Sequence, residues 1–241
     1  MKKILFIILI LFGMNVCYAN TLPPPRPSGT PPQAGGEGYH VNKNFDIVPN
    51  DKKSNSKVVL ITIDDGPTKQ SNSILETLAK HNAKAIFFVN GVHNKDNPNT
   101  MAEILKAGHS LGNHTWDHPN LKKLSEEKIK KEIESDTELI KKLTNETPKF
   151  FRPPFGVSTK YVRDLVKKDG MIYMNWSGAA KDWEKSAHQK ETFIKNVMKD
   201  LHPGSNILIH EHPWSAQNLD ALLTNIEQKG YTFVDPKDIT K

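Results

Sequence analysis

The amino-acid sequence predicts an α/β fold in which a parallel sheet is covered by helices. Three observations carry that expectation. Short apolar runs rich in β-branched and aromatic residues alternate with amphipathic helical stretches along most of the chain. The runs lack an apolar–polar alternation, as strands buried on both faces do. A polar cluster follows directly on five of them, at the strand ends where parallel α/β folds gather their chemistry.

In chain order, the first stretch, MKKILFIILILFGMNVCYA, has Lys2 and Lys3, an apolar core over 4–12 and the small residue Ala19. It reads as a signal peptide covering residues 1–19, with an uncleaved anchor as the alternative. Its apolar core is short for a membrane span. The chain is therefore expected to be exported, to the periplasm, the envelope or outside the cell. Cys17 is the single cysteine, and Val16 before it does not suit a lipid-attachment signal. A chain without disulfides must be held by its core. Residues 20–54 read as a Pro-rich linker and N-terminal extension, because NTLPPPRPSGTPPQAG favours extended, polyproline-like conformations.

One globular domain is expected over residues 55–241. Its strands are expected at 58–63, 85–89, 110–112, 149–152, 171–176, 206–209 and 231–234. Helical patterns fall at 70–81, 99–107, 125–144, 158–168, 189–202 and 215–229. About seven strands in one domain fit a doubly wound sheet or a barrel related to the (β/α)₈ type.

Charge excludes one class of function. The chain carries +6, and +4 once Lys2 and Lys3 are set aside, with no basic stripe interleaved with aromatics. No nucleic-acid partner is expected, and no obligate protein partner is evident. The charge-rich run KKLSEEKIKKEIESDTELIKKL mixes both signs and reads as a solvated amphipathic helix.

The five clusters are DDGP, NHTWDHP, RPPFG, WSGAAKDW and HEHPW. His114 and His118 are four apart, one helical turn, so both rings can point the same way. Neutral imidazoles at that spacing suit a divalent transition metal, and a carboxylate would complete three protein ligands with a position left open. Asp64 and Asp65 are adjacent like charges at the end of a buried run, which is costly without a cation nearby. One acid can ligate while the other takes a proton. Side chains alternate along a strand, so the turn at Gly66–Pro67 is expected to bring both acids to one cavity mouth. The blander readings are a capped turn and a surface loop that happens to carry two histidines. Glu211 and His212 are extra ligands or parts of a strand-end loop, with His212 facing away or towards substrate. Trp116 and Trp214 stand at loop mouths, where an aromatic face stacks on a ligand ring or packs on a neighbour.

The ordered set ITIDDGP, GNHTWDHPNL, RPPFG, DW and ILIH resembles the five motifs of the NodB-homology polysaccharide deacetylases, carbohydrate esterase family 4, over about residues 57–236. The resemblance implies a distorted (β/α) barrel of about seven parallel strands in a single domain. It implies Asp65, His114 and His118 as ligands of a divalent metal, zinc or cobalt, and Asp64 as general base. Arg152 would hydrogen-bond Asp64, and the Phe155 backbone N–H would complete an oxyanion hole. Asp182 would tether and tune His210, the general acid, while Trp183 and Leu208 would line a pocket for the acetyl methyl. The implied reaction removes N-acetyl groups from N-acetylglucosamine-type units of peptidoglycan, chitin oligomers or poly-N-acetylglucosamine. An O-acetyl esterase acting on acetylated xylan and a non-catalytic glycan-binding module are the competing readings. The chain departs from the pattern at Ile63, where many members carry Phe, and at Ala179, where many carry an acid.

Overall fold

The computed structural model describes residues 38–241 apart from Pro98, so the expected signal peptide and most of the Pro-rich segment lie outside the described residues. Two short strands, β1 (Tyr39–Val41) and β2 (Ile47–Pro49), form an antiparallel hairpin. The hairpin is packed onto the body. Tyr39 and Ile47 are buried, the Ile47 amide donates to the Gly204 carbonyl at 2.8 Å, and Tyr39 bridges Ile239. The folded body therefore begins well before residue 55, inside the stretch expected to be an extension. Three-residue strands that bury a single residue each leave too little for a periodic signal.

The remaining elements run β3 (Val58–Gly66), α1 (Ser71–Lys80), β4 (Ala85–Val89), α2 (Thr100–Lys106), β5 (Ser110–Asn113), α3 (Glu126–Thr144), β6 (Phe150–Phe151) and α4 (Lys160–Lys168). They continue with β7 (Ile172–Tyr173), β8 (Gly178–Ala179), α5 (Lys190–Asp200), β9 (Ser205–His210), α6 (Pro213–Gln228) and β10 (Thr232–Phe233). The main sheet has the order β7-β6-β5-β4-β3-β9-β8, and every pair in it is parallel. β10 lies off this path, beside the first two residues of β3.

This order is cyclic in sequence from β3 to β9, which is the mark of a barrel and not of a doubly wound sheet. The ring has one seam. β7 and β8 follow each other with no helix between them, and parallel neighbours need a crossover of a dozen or more residues. They cannot pair, so the barrel stays open there: a distorted (β/α) barrel. The strand expected over 171–176 spans only Ile172–Tyr173, and Gly178–Ala179 pairs as a strand although neither residue has strand character.

β3 explains its own composition. Val59, Ile61 and Ile63 belong to the cluster beneath the helices, with Leu219, Leu222 and Leu223 of α6. Val58 and Leu60 join a second cluster, with Ile86, Phe88 and Phe150. Both faces are buried, hence the unbroken apolar run. The same alternation puts Thr62 and Asp64 on the inner side, above Leu60, at the strand's C-terminal end. No helix among the described residues is long and apolar enough to cross a membrane.

Because Ile47 is only 1% exposed, Ile47→Ala is expected to lower unfolding stability by about 2–4 kcal/mol in urea melts. A value below about 0.5 kcal/mol, normal for a surface site, would show the hairpin to be an appendage.

Candidate active site

Two adjacent acids reach one cavity because β3 is bulged between them. Its register with β4 shifts between Asp64 and Gly66, and Asp65 has φ 68°. The extra residue resets the alternation, so Asp65 turns to the side Asp64 already faces. The bulge, not the Gly66–Pro67 turn, does this. The HTWDH segment is likewise no helix. It is an irregular loop with Thr115 at φ 72° and His118 at φ 60°, and the Thr115 hydroxyl accepts the His118 amide at 3.2 Å. The two imidazoles still meet, with ring centroids 4.9 Å apart. Asp65, His118 and Phe155 (φ 59°) all line the cavity in a backbone conformation uncommon for residues with a side chain. Such strain clusters at functional sites.

Asp65, His114 and His118 offer ligand atoms that lie within 4.8 Å of one another. Asp65 Oδ1 is 3.6 Å from His114 Nε2 and 3.5 Å from His118 Nε2, and it is buried with no hydrogen-bond partner. His114 Nδ1–H donates to the Arg152 carbonyl at 2.7 Å, which leaves the Nε2 lone pair for the cavity. Burial above all holds the His114 pKa down, to about 3, so the ring is neutral. An orphaned carboxylate oxygen facing a neutral imidazole lone pair fits a divalent transition metal and is otherwise costly.

Asp64 is 1% exposed, and its Oδ1 accepts from Arg152 Nη1 at 2.7 Å. Arg152 is itself fully buried. Nη1 also donates to Thr62 Oγ1 at 2.9 Å and Nη2 to the Asn175 carbonyl at 2.8 Å, while the guanidinium lies 4.2 Å over the Phe88 ring. Burial pushes the Asp64 carboxyl above its ordinary pKa, and the opposing pull of Arg152 and His210 does not cancel it. Desolvation outweighs the neighbouring guanidinium.

His210 closes β9 in register with Asp64 on β3. Its Nδ1 bonds Asp182 Oδ1 at 2.7 Å, and Asp182 Oδ2 accepts the His210 amide at 2.7 Å and the Ser215 hydroxyl at 2.6 Å. Burial works against the imidazolium, but the hydrogen bond and charge of Asp182 override it and raise the His210 pKa to about 9. Burial would raise Asp182; its bonds to His210 and Ser215 hold it below the usual value. Trp183 meets His210 edge-on at 5.6 Å and Phe155 meets His118 at 4.7 Å. With Leu208 and Trp176 they wall a cavity of about 500 Å³ onto which Asp64, Asp65, His114, His118 and His210 open. Arg152 and Asp182 stand behind it.

The open readings resolve. Glu211 is buried away from the ligand group, its Oε2 taken by the Thr68 amide and hydroxyl and by the Ser71 hydroxyl at 2.9, 2.8 and 2.6 Å. His212 lines the cavity. Trp214 packs on neighbours, stacked between His188 and His212 with Nε1 donating to the Asp182 carbonyl. Trp116 covers Gly91, where a Cβ would lie 2.4 Å from its ring. Ala179 is buried and paired with Leu208. Sequence reasoning missed Asn175, Ser215 and Thr62; of these, only Thr62 stood out, as a polar residue inside an apolar run.

A sequence model of the family described as polysaccharide deacetylase matches residues 51–174. A peptidoglycan-N-acetylglucosamine deacetylase of Bacillus cereus is 34% identical over 186 residues, covering 75% of this chain and 67% of that protein. The peptidoglycan-N-acetylmuramic acid deacetylase PdaC of Bacillus subtilis is 34% identical over 182 residues, 75% of this chain but 38% of its own length. Among solved structures, a CE4 family pseudoenzyme from Bacillus anthracis is 29% identical with a TM-score of 0.70, covering 75% of this chain and 64% of that one.

Asp182→Asn removes the charge that keeps His210 protonated, so the His210 pKa is expected to fall from about 9 towards or below its ordinary 6.5. NMR titration of the ring reads it directly. A raised pKa also stabilises the fold below the unfolded value, and that contribution fades as pH rises through about 9. The Asn variant should lose this alkaline decline in urea melts.

Proposed function

Because the chain belongs to the polysaccharide deacetylase family, we propose that it hydrolyses N-acetyl groups on N-acetylglucosamine-type units of an envelope polysaccharide, peptidoglycan first. One observation supports this above the others. Asp64 and His210, cross-strand neighbours beside the Asp65–His114–His118 group, open on one cavity, each braced from behind by an oppositely charged buried partner. A pseudoenzyme shares the fold, so the barrel by itself does not establish activity.

Asp65, His114 and His118 would hold a divalent cation, zinc or alternatively cobalt. When bound, it supplies Lewis acidity, polarising the acetyl carbonyl and easing ionisation of water near neutral pH. Asp64 takes the proton of the attacking water, with Arg152 Nη1 fixing the orientation of its carboxylate. The Phe155 amide donates to the oxyanion as the carbonyl carbon becomes tetrahedral. Trp183 and Leu208 wall off the acetyl methyl. An amine leaves only when protonated, and His210, held as a cation by Asp182, gives it the proton. The products are acetate and a free amino sugar. A strong need for an acid at the leaving nitrogen favours an amide over an ester, which is why the deacetylase reading stands ahead of the O-acetyl esterase.

Export by the 1–19 segment would place the domain beside its substrate, with the Pro-rich residues before Tyr39 as a tether. The names of the relatives support peptidoglycan as the polymer. Acetate release from peptidoglycan, chitin oligomers, poly-N-acetylglucosamine and acetylated xylan tests the proposal. Release from peptidoglycan is expected; release from xylan alone would make the protein an esterase, and release from none would make it a binding module.

Asp64→Asn is expected to keep its metal by elemental analysis while losing about two to four orders of magnitude in turnover. Loss of the metal in that variant would reverse the roles of the two aspartates. The rate should be bell-shaped in pH. Its alkaline limb should lie near the His210 value of about 9, and Asp182→Asn should move that limb to lower pH.

A further inference from the structure

β4 carries none of the residues assigned to the chemistry, yet it lies between β3 and β5, the two strands that end in the candidate metal ligands. Val89, its last residue, is in register with Gly66 on one side and Asn113 on the other. The next residue, Asn90, is fully buried. Its backbone amide donates to the Gly66 carbonyl at 2.9 Å, closing the bulge that turns Asp65 inwards. Its side-chain Nδ2 donates in the other direction, to the His114 carbonyl at 2.7 Å and the Thr115 carbonyl at 3.1 Å. Asn90 thus touches both halves of the ligand set and neither ligand side chain.

The residue type matters. Only a primary amide offers two N–H donors on so short a side chain, whereas Thr offers one and an ionised Asp none. The orientation is dictated as well: flipping the amide would put its oxygen against two carbonyls. In the observed orientation Oδ1 is buried without a partner. A buried acceptor left unpaired costs free energy, so the two donor bonds are kept at the expense of the third group. Thr115, one of the two carbonyls held, has φ 72°, and a strained backbone of this kind persists only where its surroundings hold it.

We propose that Asn90 is a positioning residue for the metal centre, setting the spacing between Asp65 and His114 and thereby the affinity for the cation. This rests on the reading that Asp65, His114 and His118 hold a divalent metal. Partners one step behind metal ligands typically change affinity by about 10- to 100-fold when removed.

The test is zinc affinity of the full chain, stripped of metal and titrated against a chromophoric chelator. Asn90→Leu keeps the side-chain volume and removes both donors. It should raise the zinc dissociation constant about 10- to 100-fold, and excess zinc should recover most of the activity lost at limiting zinc. Measuring at a temperature where circular dichroism shows the metal-free variant folded separates affinity from general unfolding. Should Leu not fold, Asn90→Thr, with one donor, is read the same way and should show a smaller rise. Unchanged affinity in the folded variant overturns the inference, and so does a loss of activity that excess zinc does not restore. A parent chain that takes up no zinc overturns the metal reading and the inference with it, whereas equal binding by parent and variant overturns the inference alone.

Discussion

Strand geometry forbids what this site needs. Successive side chains on a β-strand point to opposite faces, so of two adjacent aspartates one belongs in the cavity and the other among the helices. The bulge at Asp65 removes that prohibition, and the rest of the centre depends on it. It costs a positive φ at a residue with a side chain, and three neighbouring residues hold it there. The carbonyls of Asp64, Asp65 and Gly66 are taken in turn by the Glu211 amide, His93 Nδ1 and the Asn90 amide, at 3.1, 2.9 and 2.9 Å. Glu211 Oε1 also lies where a Cβ on Gly66 would be, which is why that position is a glycine.

Around the bulge the protein manages buried charge by pairing. Arg152 with Asp64 and Asp182 with His210 are two buried ion pairs ending neighbouring strands. Their balance differs. Burial wins at Asp64 and raises its carboxyl, whereas at His210 the Asp182 carboxylate outweighs burial and raises the imidazolium. His210 is thereby held as the protonated partner, while Asp64 becomes a stronger base than an exposed carboxylate. The third carboxylate, Asp65, has a buried oxygen that finds no hydrogen-bond partner among the described residues.

The seam of the barrel belongs to the same design. The direct connection from β7 to β8 leaves a parallel sheet unclosed, and its residues take up other work. The Asn175 carbonyl holds Arg152 Nη2, and Trp176 walls the cavity. A seventh helix, crossing from β7 to β8, would replace this direct connection.

Much of this was legible in the sequence, for a physical reason: strand ends and turns are local. The long strands at Val58 and Ala85, all six helices and the five polar clusters rest on periodicity and turn chemistry within a few residues of each other. The resemblance to a known family then pointed to ten candidate site residues, and the fold brings eight of them to one cavity with Arg152 and Asp182 behind. What the chain could not declare is what depends on partners distant in sequence. Tyr39 and Ile47 look like linker until Gly204 and Ile239 are beside them. His114 and His118 look like a helical pair, but the loop that joins them is shaped from outside, by Asn90 and by Glu132, which accepts the Trp116 and Asp117 amides. The sign of the Asp64 shift needed the whole barrel, because desolvation is a property of the enclosure and not of the neighbouring arginine. Sequence by itself determined which chemistry the chain carries; tertiary structure decided how strongly each group is charged and which way it faces.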